Sequence, residues 1–234
     1  MPIELSPGNS VDEYTSGPSW QDTIGHRKKR QIGDTSTITM RPFLDEEHHR
    51  AYGRAWLLGR FLFEQLKLLG LAPGDNVLDF GCGSGRVGIW LIPYLEAGRY
   101  FGLDSHLPSL VAFSAYEMAL HDLRGLRPRL MVNATFAFEA FGTTFDAILD
   151  FAVSQHLAEE RAIAAYRSMH RVSCERSRLF TTREPKIGLK GMRNCGWILD
   201  QTADVTYPII PKTLQRGEIV RINNRDQWCV FRRD

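Results

Sequence analysis

The spacing of apolar positions along this chain changes at about residue 45. Residues 45–70, DEEHHRAYGRAWLLGRFLFEQLKLLG, place Tyr52, Trp56, Phe63 and Leu66 at intervals of four, seven and three, which puts them on one face of an α-helix. Asp45, the acids after it, and Gly70 ahead of Pro73 mark its ends. Beyond Pro73, short apolar runs alternate with helical patterns. Strands are predicted at 76–80, 99–103, 129–132, 145–151 and 178–182, and helices at 85–95, 107–123 and 159–171. After residue 182 the pattern loosens through a polar stretch, and two further strands are expected at 203–209 and 227–232.

Strands that alternate with helices are joined by right-handed crossovers and lie parallel. The expected fold is therefore α/β and doubly wound (Rossmann-like): a mostly parallel seven-stranded sheet with helices on both faces. The last two strands have no clear helix between them, which suits an antiparallel pair at one edge. A ligand crevice belongs at the carboxyl ends of the central strands.

Residues 1–40 differ in character, being rich in Ser, Thr, Gly and Pro around a basic cluster, His26 to Arg30. They are expected to form a flexible basic N-terminal arm. Residues 41–234 are expected to form one domain with a cap helix at about 45–70. With 43% hydrophobic and 24% charged residues among 234, the chain can bury one sizeable core. A formal charge of +2 announces neither a nucleic-acid nor a membrane surface. Cys82, Cys174, Cys195 and Cys229 show no paired CxxC spacing, so they read as reduced thiols of a cytoplasmic protein, without zinc. The first twenty residues lack a basic start followed by an apolar stretch, and no run is long enough to span a bilayer. No membrane partner is expected.

Chemistry enters with NVLDFGCGSGRVGIW, residues 76–90, in which two glycine patterns overlap. Gly83-Ser84-Gly85-Arg86-Val87-Gly88 matches the dinucleotide fingerprint, with Asp104 at the distance of a ribose-binding acid. The same stretch also reads Asp79-x-Gly81-x-Gly83-x-Gly85. Charge separates the two. A pyrophosphate seated at the turn would be opposed by the Asp79 carboxylate, whereas S-adenosylmethionine carries no phosphate and has an ammonium and a sulfonium that an acid suits.

VLDFGCGSG, residues 77–85, resembles the first motif of the class I S-adenosylmethionine-dependent methyltransferases, and the resemblance extends from about Leu71 to Leu157. It implies S-adenosylmethionine as cofactor, with Asp79, Gly81, Gly83 and Gly85 lining its methionine part and Cys82 inside the same turn. Asp104, ending YFGLD, would accept hydrogen bonds from both ribose hydroxyls, with Ser105 beside it. Asn133 and Ala134 after RLMV would meet adenine. Asp150, ending FDAILD, would stand at the floor of the pocket. Each residue also has a plainer role open to it: Cys82 as a small buried residue, Asp104 as a helix cap, Asn133 as a turn residue, and Asp150 as a structural acid.

Methyl transfer from a sulfonium needs a base only where the acceptor must lose a proton. His156, after the strand that ends at Asp150, is the candidate, with Ser154 and Gln155 as neighbouring contacts. A helix-start or packing histidine is the competing reading. The chain reads DFAVSQ where the Asn/Asp-Pro-Pro-aromatic motif of amino-methylating relatives would stand, and it shows no acidic trio for a metal, so no metal is predicted. Elements that could cap the crevice are Tyr52 and Trp56 with residues 35–43, and the stretch 183–196.

The expected activity is transfer to a small molecule (a metabolite, natural product or sugar), directed to oxygen. Two alternatives stand beside it. One is an RNA or protein methyltransferase using Arg27 to Arg30, although a nucleic-acid partner is disfavoured; the other is a cofactor-binding protein that does not methylate. A nicotinamide dehydrogenase is a minor fourth reading, and a homo-oligomer stays open.

Overall fold

The computed structural model describes residues 4–5, 55–204 and 227–234. In chain order its strands are β1 (Glu4–Leu5), β2 (Val77–Phe80), β3 (Tyr100–Asp104), β4 (Arg129–Val132), β5 (Phe145–Asp150), β6 (Ser173–Thr181), β7 (Trp197–Asp204) and β8 (Gln227–Arg233). Every residue of β2 and β5 is buried, as in strands covered on both faces. The order across the sheet is 1-4-3-2-5-6-8-7. Strands β2 to β6 run parallel, while β8 pairs antiparallel with both β6 and β7. The seven strands from β2 to β8 are thus the expected doubly wound sheet. At its far edge β1 adds two residues, Glu4 opposite Met131 and Leu5 opposite Val132. The remainder of the predicted arm, with His26 to Arg30, lies outside the described residues, as do 35–43 and Tyr52.

The helices are α1 (Ala55–Leu68), α2 (Gly88–Tyr94), α3 (Leu107–Val111), α4 (Glu159–Arg171) and α5 (Gly188–Asn194). Helix α3 continues through a π-helical segment, Ala112–Glu117, into a last turn at Met118–Leu120. Helix α4 carries Glu159 and Glu160 in its first turn and His170 and Arg171 in its last, each sign at the end of the dipole it complements.

Alternation along the strands divides the core between the two faces of the sheet. On one face Val77, Tyr100 and Leu149 meet Leu62 and Leu66 of α1, Leu91 of α2 and Phe113 after α3. On the other, Leu78, Phe101 and Ile148 meet Ala165 and Met169 of α4 and Met192 of α5.

Three expectations need correction. Strand β7 already begins at Trp197, ahead of the expected start at 203; 205–209 of the expected range lie outside the described residues. Helix α5 occupies part of the polar stretch in which no element was predicted. Helix α2 starts at Gly88 and not at Gly85, because residues 83–87 wind as turns, with Ile89 N–H reaching back to the Gly85 carbonyl at 3.0 Å.

The order of strands reverses at β2, which has β3 on one side and β5 on the other. At such a reversal the loops leaving the carboxyl ends diverge and open a crevice. Gly81, Asp104 and Asp150 stand at that end.

Candidate active site

The glycine turn follows directly from β2. Gly81, Gly83 and Gly85 have φ of +73°, +55° and +88°, in the left-handed region that glycine enters without a Cβ penalty. Their surroundings differ. A Cβ on Gly81 would lie 2.2 Å from Val153 Cγ2, and one on Gly85 would lie 2.3 Å from the Phe113 ring. A Cβ on Gly83 would meet nothing within 4 Å. Two glycines therefore serve close packing, and the third borders open space.

Asp104 holds this turn against β3. Its carboxylate accepts the Gly83 N–H at Oδ2 and the His106 N–H at Oδ1, each at 2.8 Å. Ser105 beside it is exposed. Gly81 and Cys82 donate their N–H groups to the Leu103 carbonyl at 2.7 and 3.2 Å, which ties the start of the turn to the same strand.

Asp79 is buried one strand away, and the Tyr100 hydroxyl donates to its Oδ2 at 2.7 Å. Burial raises its carboxyl to about 7; the Tyr100 hydrogen bond opposes that rise and the nearby Asp104 adds to it. Burial, with Asp79 and Asp104 behind it, also holds the Cys82 thiol well above its ordinary range. Cys82 is therefore a neutral packing residue within the turn and no nucleophile.

Asn133 follows β4 and is buried. Its Oδ1 accepts the Thr135 N–H at 2.8 Å, the Thr135 hydroxyl at 3.2 Å and the Ala137 N–H at 3.2 Å, while its own N–H reaches the Asp104 carbonyl at 3.0 Å. The side chain thus shapes the loop that Ala134 belongs to. Arg161 of α4 donates to the Ala134 carbonyl at 2.7 Å and lies over the Phe136 ring at 5.1 Å, pinning the loop from outside.

Asp150 is organised in the same way. Its Oδ1 accepts the N–H groups of Val153 and Ser154 at 3.0 and 3.1 Å, and its Oδ2 accepts the Tyr166 hydroxyl at 2.8 Å. The carboxylate caps the turn leaving β5 and meets the crevice through that turn, since Val153 is the side chain that covers Gly81. The turn also carries Ala152 at φ +67°, a conformation that costs a non-glycine residue about 1–2 kcal/mol. His156 ends it and is exposed. Partial burial lowers the imidazole below its ordinary value, Lys186 and Arg183 lower it further, and Asp150 partly offsets them.

All the sequence-predicted positions therefore gather at one end of the sheet: Asp79 and the glycines at β2, Asp104 and Ser105 at β3, Asn133 and Ala134 at β4, Asp150 and His156 at β5. Sequence reasoning missed Tyr100, Phe113, Val153 and Tyr166, each of which fixes one of those groups. Tyr100 and Phe113 lie within apolar stretches that read as plain core. Among the described residues no group of three or more His, Cys, Asp or Glu side chains is placed to hold a metal ion, and no helix is long and apolar enough to cross a membrane.

Residues 78–179 match the sequence model of a methyltransferase domain. Among solved structures, the chain is similar to the magnesium protoporphyrin IX methyltransferase of Synechocystis PCC 6803 with bound S-adenosylmethionine, at 16% identity over 86% of this chain and 100% of that one, TM-score 0.55. It is also similar to the CcbJ methyltransferase of Streptomyces caelestis, at 13% identity over 80% and 95%, TM-score 0.58. A third is the glycopeptide N-methyltransferase MtfA complexed with S-adenosylhomocysteine, at 13% identity over 75% and 90%, TM-score 0.57. At such identities the likeness is one of fold.

The residues of this crevice suit the cofactor: open space over Gly83 and a buried acid at Asp79 beside Tyr100 and Cys82. Residues 78–179 are thus similar to a methyltransferase domain, and the fold is one shared with methyltransferases solved with S-adenosylmethionine or S-adenosylhomocysteine bound.

Proposed function

We propose that this chain is an S-adenosylmethionine-dependent methyltransferase that acts on a hydroxyl of a small molecule (a metabolite, natural product or sugar) by in-line displacement, with His156 taking the hydroxyl proton. The observation that carries this reading is the position and state of His156. It stands in the turn leaving β5, at the crevice end of the sheet, and its surroundings keep the imidazole neutral near pH 7. A neutral imidazole is the form that accepts a proton.

When bound, S-adenosylmethionine supplies an electrophilic methyl group on a sulfonium leaving group. The protein's own residues hold and orient it. Asp79 would face the ammonium of its methionine part, and Gly81, Gly83 and Gly85, with Cys82 packed beneath, would bring backbone close to it. Asp104 would accept from the ribose hydroxyls with Ser105 beside it. The loop shaped by Asn133 would present Ala134 to adenine, and Asp150 would fix the floor by capping its turn. In such a transfer His156 would take the hydroxyl proton and pass it to solvent.

Four free cysteines support a reducing, cytoplasmic setting. The test is transfer of labelled methyl into a panel of hydroxyl, carboxyl and amine small molecules, with RNA and protein acceptors alongside. Labelling of hydroxyl compounds that is lost in His156→Ala, at unchanged S-adenosylhomocysteine affinity, supports the reading. Labelling confined to RNA, protein or amines overturns it, as does transfer at the normal rate by His156→Ala.

A further inference from the structure

We propose that Asp79 and Tyr100 make cofactor binding proton-linked: in the cofactor-free protein Asp79 holds a proton, it releases that proton to solvent when the cofactor's ammonium arrives, and Tyr100 sets the pH at which the exchange occurs. The inference rests on the placement of Asp79 at the methionine end of the site.

The geometry around Tyr100 is built to keep its hydroxyl on this acid. Tyr100 and Asp79 are 1% and 3% exposed, and they meet at 2.7 Å between adjacent parallel strands. Two glycines clear the path. A Cβ on Gly88 would lie 2.6 Å from the Tyr100 hydroxyl, and one on Gly102 would lie 3.2 Å from its ring and 2.9 Å from Cys82 Sγ. Phe113 closes the last side, edge-on to Tyr100 at 6.1 Å between centroids. Thus Gly88, the third glycine of the dinucleotide pattern, serves the tyrosine.

The groups that act on Asp79 are Tyr100 and Asp104 from β3 and the Cys82 thiol from the turn. Strand β5 sets Leu149 opposite it in register, α2 brings Gly88 alongside Tyr100, and the π-helical segment brings Phe113. None of these carries a positive charge. Among the described residues an ionised carboxylate here has the Tyr100 hydroxyl as donor and a second acid nearby, so burial favours its neutral form and places the change near neutrality. An ammonium beside it would reverse that preference. The sign follows: below pH 7 the cofactor-free site carries a proton that the bound site lacks, so affinity rises with pH up to about 7 and then levels.

The experiment is calorimetric titration of the full chain with S-adenosylhomocysteine between about pH 5.5 and 8, in two buffers of different ionisation enthalpy. Wild type is expected to release close to one proton at the acid end and none at the alkaline end, with affinity weakening towards tenfold per pH unit below 7. Tyr100→Phe removes the donor that favours the ionised acid, so its midpoint moves to higher pH. Asp79→Asn removes the proton release altogether and weakens binding at pH 8. Tight wild-type binding that is proton-neutral and flat across the range overturns the linkage while leaving the cofactor assignment intact. Unchanged affinity in Asp79→Asn overturns the placement of Asp79, and the linkage with it.

Discussion

Tyr166 in the middle of α4 donates its hydroxyl both to Asp150 Oδ2 at 2.8 Å and to Ser154 Oγ at 2.6 Å, and all three residues are buried. A phenol has one proton to give, so the two contacts share it or alternate. Burial and the adjacent Asp150 carboxylate hold the phenol well above its ordinary range, so it remains a donor at any working pH. A helix on one face of the sheet thereby fixes the turn that sets Val153 against Gly81 and carries His156 at its end.

Tyr166→Phe tests that relay. The ring keeps its packing and the buried carboxylate loses one donor, which costs about 1.5–3 kcal/mol for a hydrogen bond to a charged group. Urea unfolding is expected to show that loss. Turnover is expected to fall with little change in S-adenosylhomocysteine affinity, because the turn carries His156 while Asp104 and the glycines stay in place. Wild-type stability would mean that the two backbone N–H groups suffice for Asp150.

The state of His156 predicts a pH profile. Its imidazole titrates below the ordinary histidine value, chiefly through burial and then through Lys186. A base must be unprotonated, so kcat/KM is expected to rise with pH through a limb below the usual histidine range and to stay level across neutrality. Lys186→Gln removes a positive neighbour, so the limb should move to higher pH. His156→Gln should abolish it. A limb that stays put in Lys186→Gln would separate the observed titration from His156.

The glycines separate packing from cofactor approach. Gly85→Ala forces a methyl group into the Phe113 ring at positive φ and is expected to cost roughly 2–4 kcal/mol of stability. Gly83→Ala carries only the backbone strain, about 1–2 kcal/mol, and its methyl enters open space. It should therefore fold and yet bind S-adenosylhomocysteine more weakly. Thermal unfolding with and without ligand distinguishes the two: Gly85→Ala is damaged in both conditions, whereas Gly83→Ala loses mainly the ligand-induced gain.

How much of this was legible follows from where burial is two-sided. Strands β2 to β5 announce themselves because residues such as Val77, Leu78, Ile148 and Leu149 are apolar and buried in succession. Edge strand β7 is hidden in the sequence: only Trp197 is fully buried, and Asp200, Gln201 and Thr202 are exposed, so its apolar signal is too thin to set its limits. Helix α5 escapes for the same reason, since it buries Met192 alone. Among site residues, Asp79 stood out as an acid in an apolar strand, and Asp104 by its distance from the glycines. The capping roles of Asn133 and Asp150 were open as alternatives, but the donors they satisfy come from loop geometry that no pattern of residue types fixes. Tyr100 was invisible because a tyrosine in a buried strand looks like core until its hydroxyl is placed.

Asp79 finally links function to stability. Its carboxyl is raised from 3.8 to about 7 in the folded protein, while in the unfolded chain it returns to its ordinary value. Between pH 4 and 7 the folded state therefore binds a proton that the unfolded state does not, so the stability of the cofactor-free protein falls as pH rises through that window and stays reduced above it. Asp79→Asn cannot ionise, and its side-chain oxygen can still accept from Tyr100. The variant is expected to gain about 1–3 kcal/mol over wild type at pH 8 and nothing at pH 4, measured by urea unfolding without cofactor. Saturating S-adenosylhomocysteine at pH 8 should narrow or reverse that difference, because wild type binds it more tightly and gains more from binding. Equal stability of the two proteins at pH 8 without ligand would mean that the buried acid is accommodated in its charged form by surroundings other than Tyr100.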